Sequence, residues 1–109
     1  MLVVLTTTSN NEEAEALANG LVESRLAACV QILPNMRSIY RWEGKIENES
    51  EHLLLIKTLP EKFEAVERFI NENHSYDTPE VVALPAAKIS LGYLNWMKDS
   101  LYNSAAEPS

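Results

Sequence analysis

The sequence predicts an α+β fold: strands and helices follow one another as βαββαβ, the ferredoxin-like arrangement, and one extra helix comes last. Its 109 residues, of which 46% are hydrophobic and 23% charged, are typical of one globular domain. Apolar stretches of strand length alternate with stretches of helical spacing, and turn-forming residues separate them. We expect one domain over residues 1–102 and a flexible tail over residues 103–109, where the apolar periodicity ends.

The first strand and the first helix have clear limits in the sequence. The apolar and β-branched run Leu2–Thr8 predicts a strand. Residues 9–11, Ser-Asn-Asn, end it and supply candidate caps for a helix whose first turn is acidic. One apolar stripe of that helix has helical spacing: Ala14, Leu17, Ala18, Leu21 and Val22.

A long hairpin is predicted after the first helix. Residues 27–42 have an extended pattern, and the returning strand covers residues 45 to about 58. Residues 43–44, Glu-Gly, form the predicted two-residue turn, because glycine accepts a positive φ. Residues 34–35, Pro-Asn, predict a bulge or an edge position within the outgoing strand.

The second half repeats the alternation of helix and strand. Pro60 is placed in the first turn of the second predicted helix, which ends near residues 73–74. A short last strand is predicted at residues 81–84. Ser90 is the expected cap of the third helix, whose apolar residues have helical spacing: Leu91, Leu94, Met97 and Leu101.

Charge and composition exclude several classes of partner. Nine Lys and Arg residues against sixteen Asp and Glu residues give a formal net charge of -7, which repels nucleic acid and anionic lipid. The longest apolar run, residues 53–56, is far shorter than the ~20 residues of a membrane helix. Cys29 is the single cysteine, so it cannot form an internal disulfide. We therefore expect a soluble, unprocessed, cytoplasmic protein without nucleic-acid or membrane partners.

Two features predict that the domain associates with copies of itself. Residues 2–5 and 53–56 are apolar at consecutive positions, so both faces of the central strands need a cover, and the third helix is too short to supply it. Each hairpin arm of ~14 residues spans about 45 Å, whereas the radius of gyration expected for this length is only ~13 Å. The hairpin tip, with Tyr40 and Trp42, should project and pack on a neighbour.

Several segments together resemble the CutA family. The most specific is residues 38–46, Ser-Ile-Tyr-Arg-Trp-Glu-Gly-Lys-Ile. The other matching segments are residues 25–30, 55–58, 74–80, 83–85 and 93–96. The resemblance covers nearly the whole chain and implies a homotrimer of ferredoxin-like subunits similar to PII signalling proteins. Its subunits would join through their open sheet faces, and it would serve divalent-cation tolerance and bind copper.

The resemblance also implies a ligand cleft between subunits. Six residues are its candidate lining: Cys29, Tyr40, Trp42, Lys57, Tyr76 and Glu80. Considered alone, Cys29 has apolar neighbours, which is typical of a buried, inert thiol, and a reactive thiolate is the alternative. Lys57 follows four apolar residues, and either pairs with an acidic side chain or contacts a ligand in the cleft.

His74 is the candidate metal ligand. With Tyr76, Asp77 and Glu80 it forms a short segment whose nitrogen and oxygen donors suit copper or zinc. The alternative is a histidine that caps the preceding helix C-terminus.

The resemblance both supports and weakens this metal site. Some CutA proteins have a cysteine where Thr6 stands and two adjacent histidines where Asn73 and His74 stand. Only His74 of those three ligands is present here. The resemblance therefore predicts that copper, or another divalent cation, binds weakly or through other donors.

The hairpin also contains a run of acidic residues. Glu47, Glu49 and Glu51 share one face of a strand because side chains alternate with a period of two. They could attract cations through their combined field. The interpretation that we favour is a solvated face that also discourages pairing between sheet edges.

These observations favour a non-enzymatic homotrimer that binds divalent metal ions or a small ligand at intersubunit clefts, in metal tolerance or PII-like signalling. An enzyme on the same fold is the first alternative, but Gly20, Gly44 and Gly92 belong to no phosphate-binding loop. No Ser/His/Asp or Cys/His grouping with a family signature is visible either. A purely structural or scaffolding trimer is the second alternative.

Overall fold

The protein is a four-stranded antiparallel sheet with three α-helices. In the computed structural model, which describes residues 1–103, the strand order is β2-β3-β1-β4. The strands are β1 Leu2–Thr8, β2 Cys29–Trp42, β3 Lys45–Thr58 and β4 Val82–Pro85. The helices are α1 Asn11–Glu23, α2 Phe63–Asn73 and α3 Leu91–Tyr102. This confirms the predicted βαββαβ order with an additional last helix.

Helices α1 and α2 cover one face of the sheet and form the main core with it. Alternate residues of β1 and β3 point into this core, because successive side chains of a strand face opposite sides. The buried members are Val4, Leu54 and Ile56 from the strands, Ala14, Leu17 and Leu21 from α1, and Val66 and Ile70 from α2. Each Val, Leu or Ile side chain among them contributes about 1.5–3 kcal/mol when it is fully buried.

Local sequence signals mark the element boundaries as predicted. Asn10 caps α1 by accepting a hydrogen bond from the Glu13 amide at 2.8 Å, and Ser90 caps α3. The hairpin turn has positive φ at Glu43 and Gly44, which is the backbone of a type I′ turn. The register of β2 against β3 shifts between Leu33 and Met36, so the predicted bulge is present.

Three details differ from the sequence expectation. Pro60 begins a single 3-10 turn, Pro60–Lys62, and α2 begins only after it. β4 ends at Pro85. An edge strand tolerates a proline because a backbone nitrogen on its outer side needs no hydrogen-bond partner. Asn103, the first residue of the predicted tail, caps the C-terminus of α3, and its amide donates to the Asp99 carbonyl at 2.9 Å. The rest of the predicted tail, residues 104–109, lies outside the described residues.

The hairpin of β2 and β3 makes the molecule long. Each arm has 14 residues, and the principal-axis extents are 50 × 30 × 24 Å. No helix within residues 1–103 is long and apolar enough to cross a membrane.

A helix covers the second face of the sheet at only one end. There α3 packs its Met97 and Leu101 against Ala28 and Leu59 in a small second core. Elsewhere apolar side chains remain open, with Leu33 50% and Leu84 49% exposed. A single chain therefore leaves apolar parts of the second sheet face, around Leu33 and Leu84, uncovered.

Candidate functional site

A pocket of about 560 Å³ lies on the second sheet face, between the hairpin and the loop that precedes β4. Ten residues line it: Thr7, Tyr40, Trp42, Glu47, Glu49, Glu51, Tyr76, Asp77, Thr78 and Glu80. Five of them are carboxylates, and none is Lys, Arg or His within the part of the chain that the structure describes.

The hairpin supplies one wall through its strand geometry. Tyr40 pairs with Glu47 across the ladder, so the two side chains stand on the same face. Trp42 lies two residues after Tyr40 on β2, and Glu49 and Glu51 follow Glu47 at intervals of two residues on β3. Each interval of two residues is about 7 Å along the strand. The row of three carboxylates thus runs away from the hairpin tip, and the two aromatic rings lie at its tip end, with Trp42 across from Lys45.

The loop before β4 supplies the opposite wall. The Tyr76 hydroxyl donates a hydrogen bond to Glu51 Oε2 at 2.9 Å, and Glu51 is only 7% exposed. Burial and the Glu51 carboxylate raise the pKa of Tyr76 well above its ordinary value. Burial, with Glu49 and then Glu47 adding to it, also raises the pKa of Tyr40. The five carboxylates of the lining, with no basic side chain among the described lining residues, make the pocket electronegative.

His74 holds this loop against β1. Its Nε2 lies 2.6 Å from the Thr7 carbonyl oxygen, so Nε2 bears the hydrogen, because a carbonyl can only accept. Its Nδ1 accepts a hydrogen bond from the Tyr76 amide at 3.0 Å. Glu13 holds Ser75, the residue after His74, by accepting hydrogen bonds from its amide and its hydroxyl. The imidazole thus fastens the loop to the strand and does not bond the carbonyls at the end of α2.

This arrangement does not suit a metal ion at His74. Both ring nitrogens are engaged, so no lone pair is left for coordination. Thr6 is fully buried, and Asn73 donates to the Phe69 carbonyl at 2.8 Å. Among residues 1–103, no group of three or more His, Cys, Asp or Glu residues is placed to hold a metal ion.

The pocket brings together four of the six predicted cleft residues: Tyr40, Trp42, Tyr76 and Glu80. The other two, Cys29 and Lys57, do not line it. They pair with each other across β2 and β3, about 20 Å along the strand from Glu51. The Lys57 ammonium lies over the Tyr93 ring, 5.4 Å from its centroid, at the end covered by α3. Within one chain, the predicted cleft lining is thus divided between two places.

Six lining residues are not among the predicted cleft residues: Thr7, Glu47, Glu49, Glu51, Asp77 and Thr78. The period-two acidic run was a usable signal for three of them. The interpretation of this run as a solvated face is wrong for Glu51, because the Tyr76 loop covers that side chain.

Comparison with known proteins gives the context of this pocket. A family model described as CutA1 divalent ion tolerance protein matches residues 2–100. The chain belongs to the CutA1 family. This confirms the resemblance seen in the sequence, and the CutA1 name describes ion tolerance without naming a reaction.

CutA1 relatives differ in length and location. The chloroplastic protein CutA of Arabidopsis thaliana is 47% identical over 94% of this chain. This chain spans only 56% of the length of that relative. The divalent-cation tolerance protein CutA of Thermus thermophilus is 44% identical over 90% of this chain and 95% of its own. The crystal structure of CutA1 from Oryza sativa matches with a TM-score of 0.90 at 43% identity, covering 94% of each chain. Because one relative is chloroplastic, the cytoplasmic location of this chain stays a prediction.

Proposed function

We propose that this chain acts in divalent-cation tolerance as a non-enzymatic, cytoplasmic homotrimer. It binds divalent cations, copper among them, or a small ligand at clefts between subunits, and conveys their presence in a PII-like manner. The observation that supports this proposal is the pocket with five carboxylates and no basic lining residue among those described.

The charge distribution favours cations in this pocket. The formal net charge of the chain is -7, and a cleft lined by one sign of charge concentrates ions of the opposite sign. Carboxylate oxygens are ligands for divalent cations. Since no preformed metal cluster is found among residues 1–103, binding by one chain is weak, and a second copy would complete the cleft.

The uncovered sheet face supports the trimer. Leu33, Val82 and Leu84 are each 45–50% exposed on it, and contiguous apolar surface of this kind marks association sites. At the hairpin tip Trp42 is 58% exposed. Packing of these surfaces on neighbouring copies would place the acidic pocket beside the residues of another subunit.

Light scattering on the purified protein tests the assembly, and calorimetric titration with Cu²⁺, Zn²⁺ and Mg²⁺ tests the binding. We expect a mass three times that of the chain and saturable binding. Glu49→Gln should weaken binding several-fold, whereas Glu67→Gln, which removes the same charge from exposed α2, should not. A monomeric mass would contradict the trimer. Affinity that Glu49→Gln leaves unchanged would contradict the pocket as the site.

A further inference from the structure

The second sheet face has opposite charges at its two ends. Four charged side chains of β3 stand on this face, because alternate residues of a strand share a face: Glu47, Glu49, Glu51 and Lys57. The three carboxylates lie at the hairpin end, in the acidic pocket. The ammonium of Lys57 lies at the other end, where α3 covers the face. Between the two ends this face of β3 is apolar, at Leu53 and Leu55.

Neither end finds an opposite charge within one chain. The Lys57 ammonium lies over the Tyr93 ring and forms no ion pair with a carboxylate among residues 1–103. The described lining of the acidic pocket includes five carboxylates and no basic side chain. Lys57 and Glu49 are eight residues apart on β3, about 26 Å along the strand, which is more than two side chains can bridge. The two ends of a chain therefore cannot neutralise each other.

The apolar residues on this face favour a second copy as the partner of both ends. Leu33, Val82 and Leu84 are 45–50% exposed there, and contiguous apolar surface marks an association site. A copy that covers these side chains brings its own charged ends to the contact. Head-to-tail packing then joins opposite charges, whereas packing of two like ends is repulsive.

We propose that this face joins copies of the chain head to tail, with Lys57 of one copy paired with the pocket carboxylates of the next. This inference rests on the proposed homotrimer and names the residues that set the direction of its contact. The acceptors are Glu49 and Glu80, which are exposed in one chain, whereas the Tyr76 loop covers Glu51.

A closed ring satisfies every copy in this arrangement. Each copy donates its Lys57 to one neighbour and offers its carboxylates to the other, which is the contact from which cyclic assemblies are built. One ammonium against five carboxylates leaves the completed cleft acidic, so the cleft still attracts cations.

Zero-length crosslinking with a water-soluble carbodiimide tests the contact in the unaltered chain. The reagent joins an amine and a carboxylate that touch, as an amide with loss of water. We expect products of two and three chains on a denaturing gel, and mass spectrometry should find the Lys57 peptide joined to a peptide that contains Glu49 or Glu80. Lys57→Arg keeps the charge but removes the amine. This variant should keep its assembled mass in light scattering and lose the crosslink.

Charge reversal tests the direction of the contact. Lys57→Glu and Glu49→Lys should each weaken association at least about tenfold, measured by light scattering over a dilution series. The double variant restores opposite charges and should recover to within about threefold of the original chain. Because the two positions lie about 26 Å apart in one chain, recovery reports a contact between copies.

Two controls make the same changes of net charge elsewhere. The Lys62 ammonium also lies over a tyrosine ring, 4.6 Å from the Tyr102 centroid, but outside the sheet. Lys62→Glu should leave association unchanged. Glu67→Lys, on the exposed side of α2, should leave it unchanged as well. Weakening by the controls equal to that by the test variants would mean a general charge effect and would overturn the contact.

The remaining results separate this proposal from the trimer on which it rests. A trimeric mass without a crosslink from Lys57 to a pocket carboxylate overturns the head-to-tail contact and leaves the trimer. A double variant that associates as weakly as the single variants also overturns the contact. A monomeric mass at every concentration overturns both. If the charge-reversed variants do not fold, the crosslink in the original chain and its loss in Lys57→Arg decide.

Discussion

The Tyr76 hydroxyl donates a 2.9 Å hydrogen bond to Glu51 Oε2 and so joins two segments that are 25 residues apart. The bond connects the loop before β4 to β3, the returning strand of the hairpin. His74 extends the connection, because its ring contacts both the Tyr76 amide and the Thr7 carbonyl. The two walls of the acidic pocket are therefore fixed relative to each other by hydrogen bonds within one chain.

Removal of the Tyr76 hydroxyl should cost stability in a pH-dependent way. Tyr76→Phe leaves the nearly buried Glu51 without its donor, and we expect the free energy of unfolding to fall by about 1–2 kcal/mol at pH 7. The folded-state pKa of Tyr76 is raised, so this contribution is complete below the ordinary value near 10. It decreases as pH rises above that value, because the unfolded chain then loses its proton first.

Urea unfolding at several pH values between 7 and 11 measures this difference. Tyr102→Phe is the matched control, because its hydroxyl also donates to a carboxylate, Glu61 Oε2 at 2.7 Å, but in an exposed pair. The control should lose little stability. A Tyr76→Phe loss that stays constant through pH 11 would argue against the assigned role of Glu51.

Substitution of His74 should loosen the loop. His74→Ala removes hydrogen bonds to the Thr7 carbonyl and the Tyr76 amide, and we expect a loss of about 2–3 kcal/mol in urea unfolding. His52→Ala is the control, since its Nδ1 is buried without a partner among the described residues and should cost less. Calorimetry on His74→Ala also tests the predicted metal ligand. Weaker copper binding with unchanged stability would show that His74 serves the metal rather than the loop.

Two glycines should respond in opposite ways to alanine. A Cβ at Gly20 would lie 2.5 Å from the tip of the Phe69 ring, where α1 meets α2, so Gly20→Ala should destabilise by about 1–3 kcal/mol through overpacking. A Cβ at Gly92, in α3, meets nothing within 4 Å. Gly92→Ala should therefore stabilise by up to ~1 kcal/mol through helix propensity. Thermal melting of both variants measures the contrast, and a stabilising Gly20→Ala would mean that Phe69 moves aside freely.

The uncovered sheet face gives a test of assembly. Leu84 is 49% exposed there, and Leu84→Asp should reduce the mass measured by light scattering to that of one chain, because the charge would be buried in the interface. Leu91 is 72% exposed on α3, so Leu91→Asp should leave the mass unchanged. A trimeric Leu84→Asp variant would place the interface elsewhere.

Local signals were sufficient for most of the fold. Asn10 and Ser90 cap their helices through contacts with amides three residues away, and Gly44 turns the hairpin by its own positive φ. Such features depend on neighbouring residues, so their pattern is visible in the chain. The exposed tip and the uncovered face also followed from the length of the arms and the consecutive apolar residues.

The site could be predicted only in part. Tyr40, Trp42, Tyr76 and Glu80 came from the resemblance, and all four line the pocket. The same resemblance grouped Cys29 and Lys57 with them, but the ladder register places that pair at the opposite end of β3. His74 was predicted as a metal ligand from its residue type. The residue type does not show which groups form hydrogen bonds with its two ring nitrogens.

The sequence by itself determined the order of elements, the long hairpin and the excess of negative charge, because these depend on composition and on contacts between near neighbours. Only the tertiary structure decided that the row of carboxylates on β3 faces the loop that contains Tyr76, and that this loop covers Glu51. It also decided that both ring nitrogens of His74 form hydrogen bonds. These contacts form only when segments far apart in the sequence come together in the fold. Hydrogen bonds between such segments leave no periodic pattern in the sequence.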